Sequence, residues 1–142
     1  MAWLHDIVFD CRHPASLARF WAGVLDGYEV APYDEAELER LRGKGIFNTE
    51  DDPMVLVERP GGPGPRYLFQ LVPESKVVKN RVHVDLRADD PAAELRRLLG
   101  LGARLLQEQA DWTILADPEG NEFDLVRIPV TSPGVEPGRP PS

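Results

Sequence analysis

The chain has 142 residues, 24 of them acidic and 16 basic, for a formal net charge of −8, with a single cysteine. That length predicts one domain with a real core, and that charge excludes a basic face for nucleic acid. No apolar run approaches the roughly 18 residues of a membrane span, no basic and apolar leader opens the chain, and one cysteine excludes a disulfide framework or a Cys-based zinc site. Residence in the cytoplasm, without a nucleic-acid or membrane partner, is the expectation.

Residues 4–11 read as a strand, with Ile7, Phe9 and Cys11 on one face and Asp6, Val8 and Asp10 on the other. Pro14 opens a helix, with His13 at its N-cap. Leu17, Phe20, Trp21, Val24 and Leu25 form its apolar stripe and Gly27 its stop. A short strand is predicted at 28–31. Asp34 and Glu37 then start a short helix in the manner of a capping box, which ends at Gly43. Its acidic face at 34–39 reads as solvated, or as a lid. Strands at 54–58 and 67–72 flank a loop of prolines and glycines at 59–66. The second half opens with a strand at 81–88. Asp90-Pro91 caps a helix to Leu101 with Leu95, Leu98 and Leu99 inward and Gly102 as its stop. Strands follow at 104–107, 112–116 and 122–127. Between the last two, Asp117-Pro-Glu-Gly120 has type I turn chemistry. The proline-rich residues 129–142 read as a mobile tail.

The halves repeat. The offset that carries Pro14 onto Pro91 also carries Ala15 onto Ala92, Arg19 onto Arg96 and Gly23 onto Gly100. It places Asp6 on His83, Val8 on Asp85 and Asp10 on Arg87. Phe69-Gln-Leu-Val72 falls on Phe123-Asp-Leu-Val126. Both halves read strand, helix, three strands. Helices must cover one sheet face, and Ile7, Phe9, Cys11, Phe69, Leu71, Val84, Leu86, Ala88, Phe123 and Leu125 supply it. Asp6, Asp10, Gln70, His83, Asp85, Arg87 and Asp124 occupy the other face. That face is either the wet side of a sheet or a site. Cys11, Phe20 and Trp21 read as core. Trp112 suits a ligand wall or the core, and Asn121-Glu122 reads as turn chemistry.

Phe9-Asp-Cys-Arg-His-Pro-Ala-Ser-Leu-Ala-Arg-Phe-Trp21, Phe69-Gln-Leu-Val-Pro-Glu74, Asn80-Arg-Val-His-Val-Asp-Leu86 and Asp117-Pro-Glu-Gly-Asn-Glu-Phe123 together resemble the vicinal oxygen chelate superfamily. That superfamily includes glyoxalase I, extradiol dioxygenases and bleomycin-resistance proteins. The nearest likeness is to bacterial glyoxalase-like domain proteins. The resemblance implies an α+β fold of paired βαβββ modules, an eight-stranded cup with helices outside. A single domain would span residues 1–128, with modules at about 1–75 and 80–128. The cup would hold a small molecule, and a homodimer is a common state of the family.

In metal-dependent members, the first and last strands of each module supply the ligands. The matching positions here are Asp6, Gln70, His83 and Asp124. His83 keeps the usual residue, Asp124 keeps a carboxylate, Asp6 stands in for a histidine, and Gln70 is a weak neutral ligand. One imidazole with carboxylates is a hard set suited to Mg²⁺, Mn²⁺ or another divalent metal. Asp6, His83 and Asp124 are therefore the candidate metal ligands. His83 and Asp124 are the candidate catalytic pair, since an imidazole beside a carboxylate can move a proton near neutral pH. Gln70, Asp85, Arg87 and Trp112 are the candidate substrate-binding residues. Arg87 could instead pair with Asp10, and His83 could simply hydrogen-bond a neighbouring carboxylate. The expected function is binding of a small polar metabolite with lyase- or isomerase-type proton transfer, with or without a divalent metal. The alternative is sequestration of a small molecule without catalysis.

Overall fold

The computed structural model describes residues 1–127. The tail expected at 129–142 lies outside the described residues.

The first module comprises β1 (Asp6–Cys11), α1 (Pro14–Val24), β2 (Glu29–Val30), α2 (Glu35–Gly43), a 3-10 turn (Thr49–Asp51), β3 (Met54–Glu58) and β4 (Arg66–Leu71). The second comprises β5 (Asp85–Arg87), α3 (Pro91–Leu101), β6 (Arg104–Glu108), β7 (Trp112–Ala116) and β8 (Glu122–Val126). The eight strands form two four-stranded sheets, ordered β1-β4-β3-β2 and β5-β8-β7-β6. The identical order confirms the repeat. The sheets do not close into a barrel, so β1 and β5 remain edge strands, each paired in parallel with the last strand of its module.

The helix ends follow local chemistry. Asp34 accepts from the Glu37 N–H and Asp90 from the Ala93 N–H, each capping its helix. The Glu37 carboxylate turns away to Arg40, so only half of the capping box forms. Gly102 ends α3 at φ +114°, a region costly for any residue with a Cβ. α1 stops at Val24 rather than at Gly27, with Leu25 already extended.

One core runs through both modules. Phe9 stacks on Phe69 with ring centres 5.2 Å apart, and Trp21 meets Phe123 edge-on at 5.1 Å. Phe20 and Trp21 are thus core residues, as their spacing predicts. Leu98 is fully buried, whereas Leu99 and Leu71 stay substantially exposed. Both lie where no neighbouring element covers them.

Module 2 holds α1 at three points. Glu119 accepts from the backbone N–H groups of Arg12 and His13 at 2.6 and 2.9 Å, capping a helix whose own N-cap side chain makes no bond. Asp117 accepts from the Trp21 indole, and Arg97 donates to the Gly23 and Val24 carbonyls at the other end. An anion at the N-terminus and a cation at the C-terminus both suit the helix dipole.

The ladders correct one detail of the repeat. Asp10 pairs with Gln70, and Asp85 pairs with Asp124. With Gln70 equivalent to Asp124, Asp85 corresponds to Asp10, and His83 corresponds to Val8 rather than to Asp6. The helix offset fails on the first strands because the loop from Leu86 to Pro91 has four residues, against two from Cys11 to Pro14. The slip is even, so every side chain keeps its face.

Candidate functional site

Side chains opposite each other on a ladder share a face. Asp85, Asp124 and Ile114 form one row across the second sheet; Arg87, Val126 and Trp112 form the next. Leu86, Leu125 and Thr113 form the row between them, turned toward the helices. The polar face predicted for module 2 is therefore real. His83 precedes the ladder, and its ring reaches back over Asp85 and Asp124.

Three of the expected residues converge. His83 Nε2 lies 3.5 Å from Asp85 Oδ1 and 3.7 Å from Asp124 Oδ2. One donor atom from each of the three residues fits within a 4.8 Å group. The Asp124 side chain is 5% exposed and that of Asp85 46%, so the group has a buried floor and an exposed side. Donors bound at about 2.0–2.5 Å to one ion stand about 3–4 Å apart, so these spacings fit a shared cation. One imidazole and two carboxylates also carry the charge and hardness that a small divalent cation requires. Asp85, expected on the substrate side, takes the third place in this group.

Asp6 is not brought there. Its carboxylate faces Arg66, its ladder partner, through two hydrogen bonds of 2.8 and 3.0 Å. The Arg66 guanidinium also meets His5 Nε2 at 2.9 Å. The hydrogen bonds from Arg66 hold the Asp6 carboxyl below the usual aspartate range, against a weaker push upward from burial. Gln70 lies in the other sheet, in the row Asp10–Gln70–Met54. Arg87 and Trp112 share the face of the group, one row along.

A cleft of about 450 Å³ opens between β1 and the connector leading to β5, lined by Val8, Asp10, Lys76, Asn80, Arg81 and His83 among others. His83 is the member of the convergent group that lines it. Glu122, read from the sequence as turn chemistry, lies two residues before Asp124 and shares its face. Its carboxylate accepts from Lys76 Nζ and the Asn80 N–H, both at 3.0 Å, fastening the connector to β8. Burial pushes its carboxyl up, but these bonds outweigh that and leave it below the ordinary glutamate range. The even spacing from Asp124 was the sequence signal for this role. Cys11, also on the cleft wall, is pushed up to about 12 by burial first and then by Glu119 and Asp117. It remains a protonated thiol, consistent with core packing.

The paired βαβββ modules, each ending in a strand that pairs in parallel with its first, define a class of protein, the glyoxalase-like domains. The chain belongs to the glyoxalase-like domain family, whose model matches residues 6–126. Fosfomycin resistance protein FosX from Mesorhizobium loti shares the fold with a TM-score of 0.62 at 14% identity, over 92% of this chain and 94% of that one. FosX from Listeria monocytogenes gives 0.60 at 10% identity, over 92% and 94%. A glyoxalase/bleomycin resistance protein/dioxygenase family enzyme from Burkholderia phytofirmans PsJN gives 0.58 at 16% identity, over 87% and 97%. At such identities the likeness is one of fold alone. No curated protein matches the sequence. Among the described residues, no helix is long and apolar enough to cross a membrane.

Proposed function

We propose that this chain binds a small polar metabolite beside a divalent cation held by His83, Asp85 and Asp124, and that it promotes a lyase- or isomerase-type proton transfer. The observation that carries this reading is the approach of one imidazole and two carboxylates, within 4.8 Å, on a sheet face next to a cleft. Such a cation would act as a Lewis acid on an oxygen of the bound molecule. The chain's own residues do the rest. Asp124, buried and fixed on β8, orients His83, while the exposed Asp85 leaves the group open to an incoming ligand. Asp10, on the facing wall of the cleft, is a carboxylate within reach of solvent for accepting a proton. Arg87 and Trp112 extend the same face with a cation and an aromatic surface. In the metal-free form, His83 between two carboxylates is itself the acid or base.

Titration of chelator-treated protein with Mn²⁺, read by calorimetry, tests this. One equivalent should bind, and His83→Ala and Asp124→Asn should each weaken binding at least about tenfold. Equal Mn²⁺ binding by wild type and both variants would leave the cluster a structural network and refute the reading. Metabolite screening by thermal shift finds the ligand, since any native-state ligand raises Tm, and product analysis on each hit separates catalysis from sequestration, since only an enzyme consumes it.

A further inference from the structure

Carried two residues back from the β5 ladder, the register of the two modules sets opposite chemistries at equivalent positions. Where module 2 has His83, module 1 has Val8. Val8 pairs with Leu68 on β4, and Leu68 pairs with Leu56 on β3. All three point away from the helix-facing core, and the row crosses three strands without a polar residue. Val8 is 49% exposed, and the neighbouring Met54 is 46% exposed. Polar rows flank it: Asp6–Arg66 on one side and Asp10–Gln70 on the other. At one end Val8 lines the same cleft as His83. At the other, Leu56 and Met54 line a second cavity of about 480 Å³ beneath Pro32, Tyr33 and Arg40.

An apolar stripe one residue wide, with a cavity at each end, suits a chain molecule. It is too narrow for a second protein copy, since stable interfaces cover about 800 Å² per partner. We infer that the ligand is amphipathic: an oxygen-bearing head at His83, Asp85 and Asp124, and an unbranched apolar chain along Val8, Leu68 and Leu56 toward Met54. The head's placement rests on the function proposed above; the chain's placement rests on the ladder alone. Strands are about 4.8 Å apart, so the row spans about 10 Å. With bonds of about 1.5 Å, a chain of about eight carbons covers it.

Two probe series test this on the full chain: n-alkyl hydroxamates from acetyl to dodecanoyl with Mn²⁺ present, and n-alkanols from butanol to dodecanol with none. In both, affinity should rise about two- to fourfold per methylene and level off near eight carbons. Val8→Ser, at an exposed position, and Leu56→Ser should flatten that rise while leaving acetohydroxamate binding unchanged. If Leu56→Ser does not fold, the wild-type series and Val8→Ser still decide. Affinity independent of chain length overturns the inference, as does a slope that both serine variants retain. A concentration-dependent dimer in sedimentation that Leu56→Ser dissociates also overturns it, because a second copy would then cover the row. Hydroxamates binding no tighter than alkanols of equal length would refute the cation reading, while the slope would still support the apolar chain.

Discussion

The indole N–H of Trp21 on α1 donates to the buried Asp117 carboxylate at 3.0 Å, tying the helix of one module to the turn of the other. Asn121 donates to the same carboxylate through both its backbone and side chain, and Glu119 through its backbone. Burial nevertheless pushes the Asp117 carboxyl above the usual aspartate range, with these bonds only partly offsetting it. Removing one donor from such a group is expensive, because no water replaces it. Trp21→Phe should lose about 2–4 kcal/mol, from the lost bond and the smaller ring together. Urea denaturation with an unchanged m value checks this.

Glu119 caps α1 from across the module boundary. Glu119→Ala should lower stability by about 1–2 kcal/mol, and Glu119→Gln by less, since the amide oxygen still accepts. Equal Tm values for the two variants would mean that charge, rather than the hydrogen bonds, supplies the effect.

Glu122 predicts an acid-sensitive connector. Its folded-state carboxyl lies below the usual range, so the native form binds fewer protons than the unfolded form as pH falls. Its contribution is present above the ordinary glutamate value of 4.5 and is lost as pH drops through the lower folded value. Glu122→Gln should therefore be less stable than wild type at neutral pH, by about 1–2 kcal/mol. That gap should narrow below about pH 4. Chemical denaturation across this range reads the gap directly.

Asp6 and Asp124 should behave differently toward metal. Asp6→Asn should leave Mn²⁺ affinity within about twofold of wild type, because its carboxylate is engaged by Arg66. Asp124→Asn should lose at least about tenfold. Calorimetry on both variants side by side distinguishes a ligand from an ion-pair partner.

Thr113 carries a buried hydroxyl without a hydrogen-bond partner, in the row beside Leu125. Thr113→Val keeps the shape and removes an unpaired polar atom, so it should be neutral or stabilising by about 1 kcal/mol. A fall in Tm would show that the hydroxyl has a partner after all, such as a buried water.

Periodicity and end-residue chemistry carried most of the fold. Pro14 and Pro91 as helix starts, Gly102 as a stop, and β3 and β7 are where spacing and turn residues place them. The strand expected over 81–88 shrinks to Asp85–Arg87, and the connector before it is held instead by the Glu122 carboxylate, which accepts from the Asn80 N–H. No local pattern encodes a partner forty residues away. The candidate site was legible in part. Alternation placed His83, Asp85 and Asp124 on one face, and only the ladder register could decide that Asp85 rather than Asp6 joins them.

By itself the sequence determined the repeated βαβββ order and the polar identity of one sheet face, because both follow from local spacing, while the candidate cation ligands came from the family resemblance. The tertiary structure alone decided which of those residues meet. A two-residue difference in loop length slides β5 relative to α3 without turning any side chain over. That slip sets Val8 rather than Asp6 at the position where the other module holds His83, while Asp6 meets its own ladder partner, Arg66.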